Sequence, residues 1–270
     1  HIPAKLQIKR NEQYVMKLQG EAFVLDEEKL VGNNIESTIL INEEDSIYHP
    51  ALDLRYTVTD RRATLYKPKK GSAKSIPFTS SYHEYYLYFE TIIWNLETDD
   101  ITFTALIDQE NKVSAIESFD YYTKARFNQF KNILSFNPIG AIYRYTYKHP
   151  KEPIFPEKVL EDYKLQNQKT AFQRSLPGLE GSGFIKYDKQ TYEIYPLPKL
   201  YKWARAARGK KDFDAIQVIS KVDTGAHAVM NINNQEFRMS GVPYFSLSDS
   251  QYVRVVPLEG EVLVQEKRDL

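Results

Sequence analysis

Apolar and polar residues alternate with a period of two through much of the first half of the chain. Leu52, Leu54, Tyr56 and Val58 fall on one side of an extended backbone, while Asp53, Arg55, Thr57 and Thr59 fall on the other. That is the pattern of a strand with one wet face. Residues 35–41, 86–96 and 101–107 read the same way, and Asn33-Asn34, His49-Pro50 and Glu97-Thr98-Asp99-Asp100 supply turn chemistry between runs. Short strands at close spacing predict a mainly β architecture. The run Tyr85-Tyr86-Leu87-Tyr88-Phe89, followed by Ile92-Ile93-Trp94, is apolar on both faces and predicts a central strand covered on each side.

The period changes near Ser118. Phe127, Phe130 and Leu134 fall at i, i+3 and i+7, which predicts a helix over 118–134 with Ser118 as its cap and Asn137-Pro138 as its stop. Further helices are predicted about residues 157–165, 170–176 and 200–208, the second of these cut short by Pro177. A Gly-rich exit, Gly178 to Gly183, and a hairpin of 184–187 against 191–195 precede the last helix. Helix, helix, two-stranded wing and helix is a winged-helix-like order. Strands return over 215–219, 229–239, 244–247, 252–256 and 262–265, with turns at Asn233-Asn234, Gly241 to Pro243 and Glu259-Gly260. A faint echo links Asp45-Ser46-Ile47-Tyr48 to Asp249-Ser250-Gln251-Tyr252. The expectation is an extended or stacked β scaffold, solenoid-like or sandwich, built from residues 1–120 and 212–270 and interrupted by a helical, winged-helix-like insertion at 121–211.

Composition agrees with strand. Of 270 residues 20 are Tyr and 14 Phe, with only 3 Met, and aromatic side chains suit a pleated, half-buried surface. An apolar fraction of 42% with 27% charged residues excludes disordered and low-complexity classes. The absence of Cys removes disulfides, thiolate nucleophiles and Cys-based zinc sites. No run approaches the roughly 18 to 20 apolar residues of a membrane span, so no transmembrane span and a soluble chain are expected. The start His1-Ile2-Pro3 reads as a segment or a processed form. Charge is segregated: residues 1–120 carry 13 basic and 20 acidic side chains, residues 121–215 carry 18 and 9, and residues 216–270 carry 5 and 7.

Motifs for catalysis are sparse. Val222-Asp223-Thr224-Gly225-Ala226 resembles the aspartic-protease signature, in which two carboxylates share a proton and activate a water. One copy needs a partner, and Arg238-Met239-Ser240-Gly241 fits the required second segment poorly, so a turn between strands is the expectation. His1, His49, His83, His149 and His227 form no i, i+4 pair, and no metal is expected. Gly209-Lys210-Lys211 lacks the upstream Gly and the hydroxyl residue of a phosphate loop, and no cofactor is implied. Lys202, Arg205, Arg208, Lys210 and Lys211 line up along and past the last helix with Tyr201 and Trp203 interleaved, a pattern a phosphate-binding face would share with an ordinary helix C-terminus.

Four phrases carry a resemblance: Ser46-Ile47-Tyr48-His49-Pro50, the run from Leu87 to Leu96, Gly209-Lys210-Lys211-Asp212-Phe213-Asp214, and Leu247-Ser248-Asp249-Ser250-Gln251-Tyr252. With these the chain resembles an internal segment of very long, uncharacterised, β-rich cell-envelope proteins of Gram-negative bacteria. The resemblance implies an exported protein, periplasmic or outer-membrane associated, with repeated β segments, and it transfers no catalytic residue. Those chains are much longer, so residues 4–9 and 262–268 would be sheet edges that pair with neighbouring segments. The expected function is a non-enzymatic structural or protein-binding segment, with other segments of the same or a neighbouring envelope protein as partners. Tyr82, Tyr85, Tyr86 and Tyr88 are the expected contact residues, since Tyr combines a large apolar body with a polar tip. A rival reading is carbohydrate binding or processing, which requires two carboxylates and an exposed aromatic platform in one cleft. A third is nucleic-acid binding through the basic insertion, with nucleic acid the less expected partner.

Overall fold

The computed structural model describes residues 3–105, 113–130, 135–209, 216–247 and 254–270. Strand accounts for 39% and helix for 24%, so the chain is mainly β. It divides into two compact units: His1–Phe119 with Ile216–Leu270, and Asp120–Ala215.

The first unit begins with β1 (Ala4–Arg10), β2 (Gln13–Gly20), β3 (Phe23–Leu25), β4 (Lys29–Leu40) and β5 (Ser46–Thr57). It continues with β6 (Arg62–Tyr66), β7 (Phe78–Ser80), β8 (Tyr85–Tyr88), β9 (Thr91–Asn95), β10 (Asp100–Thr104) and β11 (Val113–Ser118). β4 and β5 form a long hairpin whose register shifts on either side of Ile35. Gly32 fits this bend because an added Cβ would lie 2.8 Å from the Phe23 ring. The bend lets β5 serve two arms of one curled antiparallel sheet. Its second half pairs with β6, followed by β9 and β10, while its first half pairs with β7, followed by β8 and β11. The alternation at Leu52 and Leu54 is the buried face of β5, with both side chains at 1% exposure or less.

The expected single strand over 86–96 is two strands. The chain crosses between arms at Phe89-Glu90, where Glu90 N–H donates to the Thr104 carbonyl and the Glu90 carbonyl accepts from Lys67 N–H. β8 is central, lying between β7 and β11, but it is not covered on both faces: Tyr85 and Leu87 are buried while Tyr86 and Tyr88 are half-buried.

The second unit follows. Ser118 ends β11 instead of capping a helix, its N–H donating to the Ile216 carbonyl. The helix begins later, as α1 (Lys124–Gln129), capped by Thr123 Oγ1. Asn137-Pro138 starts a helix here instead of stopping one: Asn137 Oδ1 accepts from the N–H groups of Ile139 and Gly140 and opens α2 (Pro138–Lys148). Then come α3 (Pro156–Asp162), α4 (Lys169–Gly181), the hairpin β12 (Ile185–Tyr187) with β13 (Ile194–Pro196), and α5 (Pro198–Ala206). α4 runs through Pro177 to Gly181, past the expected stop. Ile139, Ile142, Phe172, Leu176, Phe184 and Trp203 anchor this unit's own core.

The sheet of the first unit resumes with β14 (Gln217–Lys221), β15 (Ala228–Asn231), β16 (Phe237–Met239), β17 (Phe245–Ser246), β18 (Arg254–Val255) and β19 (Val262–Val264). β15 extends one arm from β10 and is followed by β16 and β19, and β14 extends the other from β11 and is followed by β17 and β18. The segments before and after the helices therefore share one sheet and one core, in which Phe89, Phe103 and Phe237 meet with centroids 5.0–6.0 Å apart. The second half of the echo, from Asp249 to Tyr252, lies outside the described residues. No described helix is long and apolar enough to cross a membrane, which says nothing of a β-barrel.

Candidate functional site

Three chain segments converge beside β8. The turn between β7 and β8 carries Tyr82, His83 and Glu84, the last with φ 58°. Opposite it lies the turn between β15 and β16, folded by Asn231 Oδ1, which accepts from the N–H groups of Asn233 and Asn234, with Gln235 at φ 58°. A tight turn at residues 266–268 completes the set. Its Lys267 and Arg268 N–H groups donate to the Tyr82 and His83 carbonyls, both at 3.0 Å. Lys267 and Arg268 also have positive φ, 51° and 70°, so four non-glycine residues around this point hold a backbone conformation that side chains disfavour.

His83 pins the arrangement. A carbonyl can only accept, so Nε2 carries the hydrogen and donates to Gln235 O at 2.7 Å, and Nδ1 accepts from Ser80 Oγ at 2.8 Å. Burial pushes the imidazole pKa down, opposed by the bond to the Gln235 carbonyl. Arg268 Nε lies 3.1 Å from Glu84 Oε2 and fastens the third segment to the first.

Between these segments is an open cleft of about 490 Å³ lined by Tyr82, Asn234, Gln235, Glu236, Gln265, Glu266, Lys267 and Asp269. Lys267 Nζ sits 3.2 Å from Glu266, which pushes its pKa up by hydrogen bonding and charge. Of the four tyrosines predicted as contacts, Tyr82 alone lines this cleft. Tyr85 is in the core at 0% exposure, so it cannot be a contact. Tyr86 packs 4.8 Å from the Phe119 ring, and Tyr88 lies across from Ala115 in the sheet. The carboxylates and amides of the cleft were not foreseen, because they come from turns far apart in sequence.

The predicted cationic row is only partly a free face. Lys202 is paired with Asp120 at 2.7 Å, Arg208 lies 4.8 Å over the Tyr143 ring, and Arg205 is exposed on α5. Lys210 and Lys211 lie outside the described residues. Trp203, interleaved with these cations, points into the core and donates from Nε1 to the Tyr121 carbonyl at 2.9 Å.

Other suggestive groups are structural. Asp223-Thr224-Gly225 is a bend between β14 and β15, with Gly225 at φ 101°. Ser220 Oγ donates to the Ser240 carbonyl at 2.6 Å and accepts from His227 Nδ1 at 2.9 Å. Ser80 and Ser220 are both at 0% exposure, so neither serine beside a histidine can meet a substrate. Among the described residues no three His, Asp or Glu gather as a metal site requires. Compared with known proteins, the chain matches no family model, no curated protein and no solved structure.

Proposed function

We propose that the chain is a non-enzymatic structural or protein-binding segment of a cell-envelope protein that associates with similar β segments through its sheet rims. The observation that carries this reading is the edge of β1. Among the described residues β1 pairs with β2 alone, and Lys5, Gln7 and Lys9 are exposed along it. Lysines on an edge discourage self-pairing of like strands but leave the edge open to an acidic one. A rim of the opposite sign exists on the same unit. At the β3–β4 turn, Val24 and Leu25 are 62% and 70% exposed and are followed by exposed Asp26, Glu27 and Glu28. A basic rim and an acidic, apolar-tipped rim suit head-to-tail contact between copies. The helical unit, in which α3, α4, the β12–β13 hairpin and α5 follow one another after α1 and α2, is read as a winged-helix-like insertion carried by this scaffold.

Sedimentation of the chain at low and high salt tests the reading. Head-to-tail contact predicts concentration-dependent association that weakens with salt and is lost in Lys5→Glu/Lys9→Glu. Restoration on mixing that variant with Asp26→Lys/Glu28→Lys would complete the case. A monomer at every concentration and salt would refute self-association through these rims.

A further inference from the structure

We propose that the cleft framed by Tyr82, the 234–236 turn and residues 265–269 is a saccharide-binding site. This goes beyond association through the rims, since none of its lining residues belongs to β1 or to the β3–β4 turn. A volume of about 490 Å³ falls in the range of small-ligand sites, roughly 300–1,000 Å³. The chemistry of the walls selects among ligands. Glu236, Glu266 and Asp269 outnumber the single Lys267, and Asp45 and Glu84 add to the negative field felt by that lysine, so an anion is disfavoured. A purely apolar ligand finds one ring, that of Tyr82, against a wall of amides and carboxylates, and would leave those groups desolvated.

A sugar fits what remains. Its hydroxyls donate to carboxylates and exchange hydrogen bonds with the amides of Asn234 and Gln265, while its apolar C–H face lies on an aromatic ring. Tyr82 is held for that role: its ring meets His83 edge-on at 5.0 Å, and its backbone carbonyl is fixed by Lys267 N–H. Lys267, paired with Glu266, offsets part of the negative charge of the walls and so lessens the draw of a cation. The cleft thus brings together an aromatic ring and more than one carboxylate, the combination that carbohydrate recognition on a β scaffold requires. Its assignment rests on binding and involves no reaction.

Saturation-transfer NMR on the full chain with maltotetraose, cellotetraose and chitotetraose tests it, with spermidine as the cationic probe. At least one tetrasaccharide is expected to receive saturation, strongest at the C–H protons of one sugar face. Glu236→Gln, at a half-buried position, and Asp269→Asn, at an exposed one, should each weaken binding by roughly tenfold with an unchanged circular dichroism spectrum. Tyr82→Ala should abolish it. No transfer to any of the three sugars, binding that survives all three substitutions, or binding of spermidine with no saccharide binding would each overturn the proposal. Because the β1 and β3–β4 rims are untouched, failure here leaves the sedimentation result unaffected.

Discussion

His83 and Gln235 lie 152 residues apart in sequence, yet the imidazole Nε2 donates to the Gln235 carbonyl at 2.7 Å. The bond ties the β7–β8 turn, before the helical insertion, to the β15–β16 turn after it. Removing the ring leaves the half-buried Gln235 carbonyl and the buried Ser80 hydroxyl without this partner. His83→Ala is therefore expected to lower stability by about 3 kcal/mol, from lost packing and an unsatisfied acceptor. Urea titration followed through Trp94 measures it, because Trp94 is at 0% exposure in the core shared by both segments.

Stability should fall in mild acid. His49 is held neutral by burial, its pKa pushed down to about 4, with Nε2 donating to the Ile76 carbonyl and Nδ1 accepting from Ala51 N–H. A folded-state pKa below the unfolded value of 6.5 means that the unfolded chain binds the proton more tightly. The stabilisation is complete above pH about 6.5 and is lost progressively as pH drops towards 4, by about 3 kcal/mol from this ring. His83, shifted in the same direction, adds to the slope. Urea midpoints at pH 7.5, 6, 5 and 4 should show the decline, and a flat profile would contradict the buried neutral state.

Lys67 should act in the alkaline range. Desolvation pushes its pKa down to about 8, and Nζ lies 5.5 Å from the Phe78 ring. Its ammonium penalises folding at neutral pH, and the penalty is relieved as pH rises from 8 to 10.5. Lys67→Met is expected to stabilise the chain at pH 7 by about 2 kcal/mol and to remove this alkaline gain. Thermal melts of both proteins at pH 7 and pH 10 compare the two effects.

Two glycines with positive φ should differ sharply on substitution. A Cβ on Gly241, at φ 64°, would lie 2.5 Å from the Lys221 carbonyl oxygen, whereas one on Gly225, at φ 101°, meets nothing within 4 Å. Gly225→Ala is expected to cost about 1 kcal/mol from backbone strain alone, and Gly241→Ala about 3 kcal/mol because backbone must also shift. Denaturation midpoints rank the two variants directly.

Local patterning made the strands legible and left their pairing hidden. Alternation at Leu52 and Leu54 marks the buried face of β5, although Val58 of the same series is exposed beyond the strand's end, and nothing local says that β5 splits its partners between two arms at the Ile35 bulge. The same limit explains the merged strand over 86–96: the crossing at Phe89-Glu90 is fixed by hydrogen bonds to Thr104 and Lys67, which sequence cannot place. α2 was readable and missed. An Asn cap followed by Pro at the first helical position precedes Ile139, Ile142 and Tyr145, which share one buried face. For the site, Tyr82 is legible as one of a tyrosine-rich run whose side chains join an apolar body to a polar tip. Glu236, Glu266 and Asp269 were not, because their neighbourhood depends on the return of the chain after the helices.

One β body is interrupted by an inserted helical unit. Ser118 N–H donates to the Ile216 carbonyl at 3.1 Å, so the two ends of the β body already lie side by side. Replacing residues 120–215 by a linker of about four Gly and Ser residues should therefore close the gap as an ordinary hairpin turn would. Of the two Trp residues the chain contains, only Trp94 remains in that protein. The predicted result is a blue-shifted Trp94 emission with a single cooperative urea transition. A red-shifted emission with no transition would contradict it.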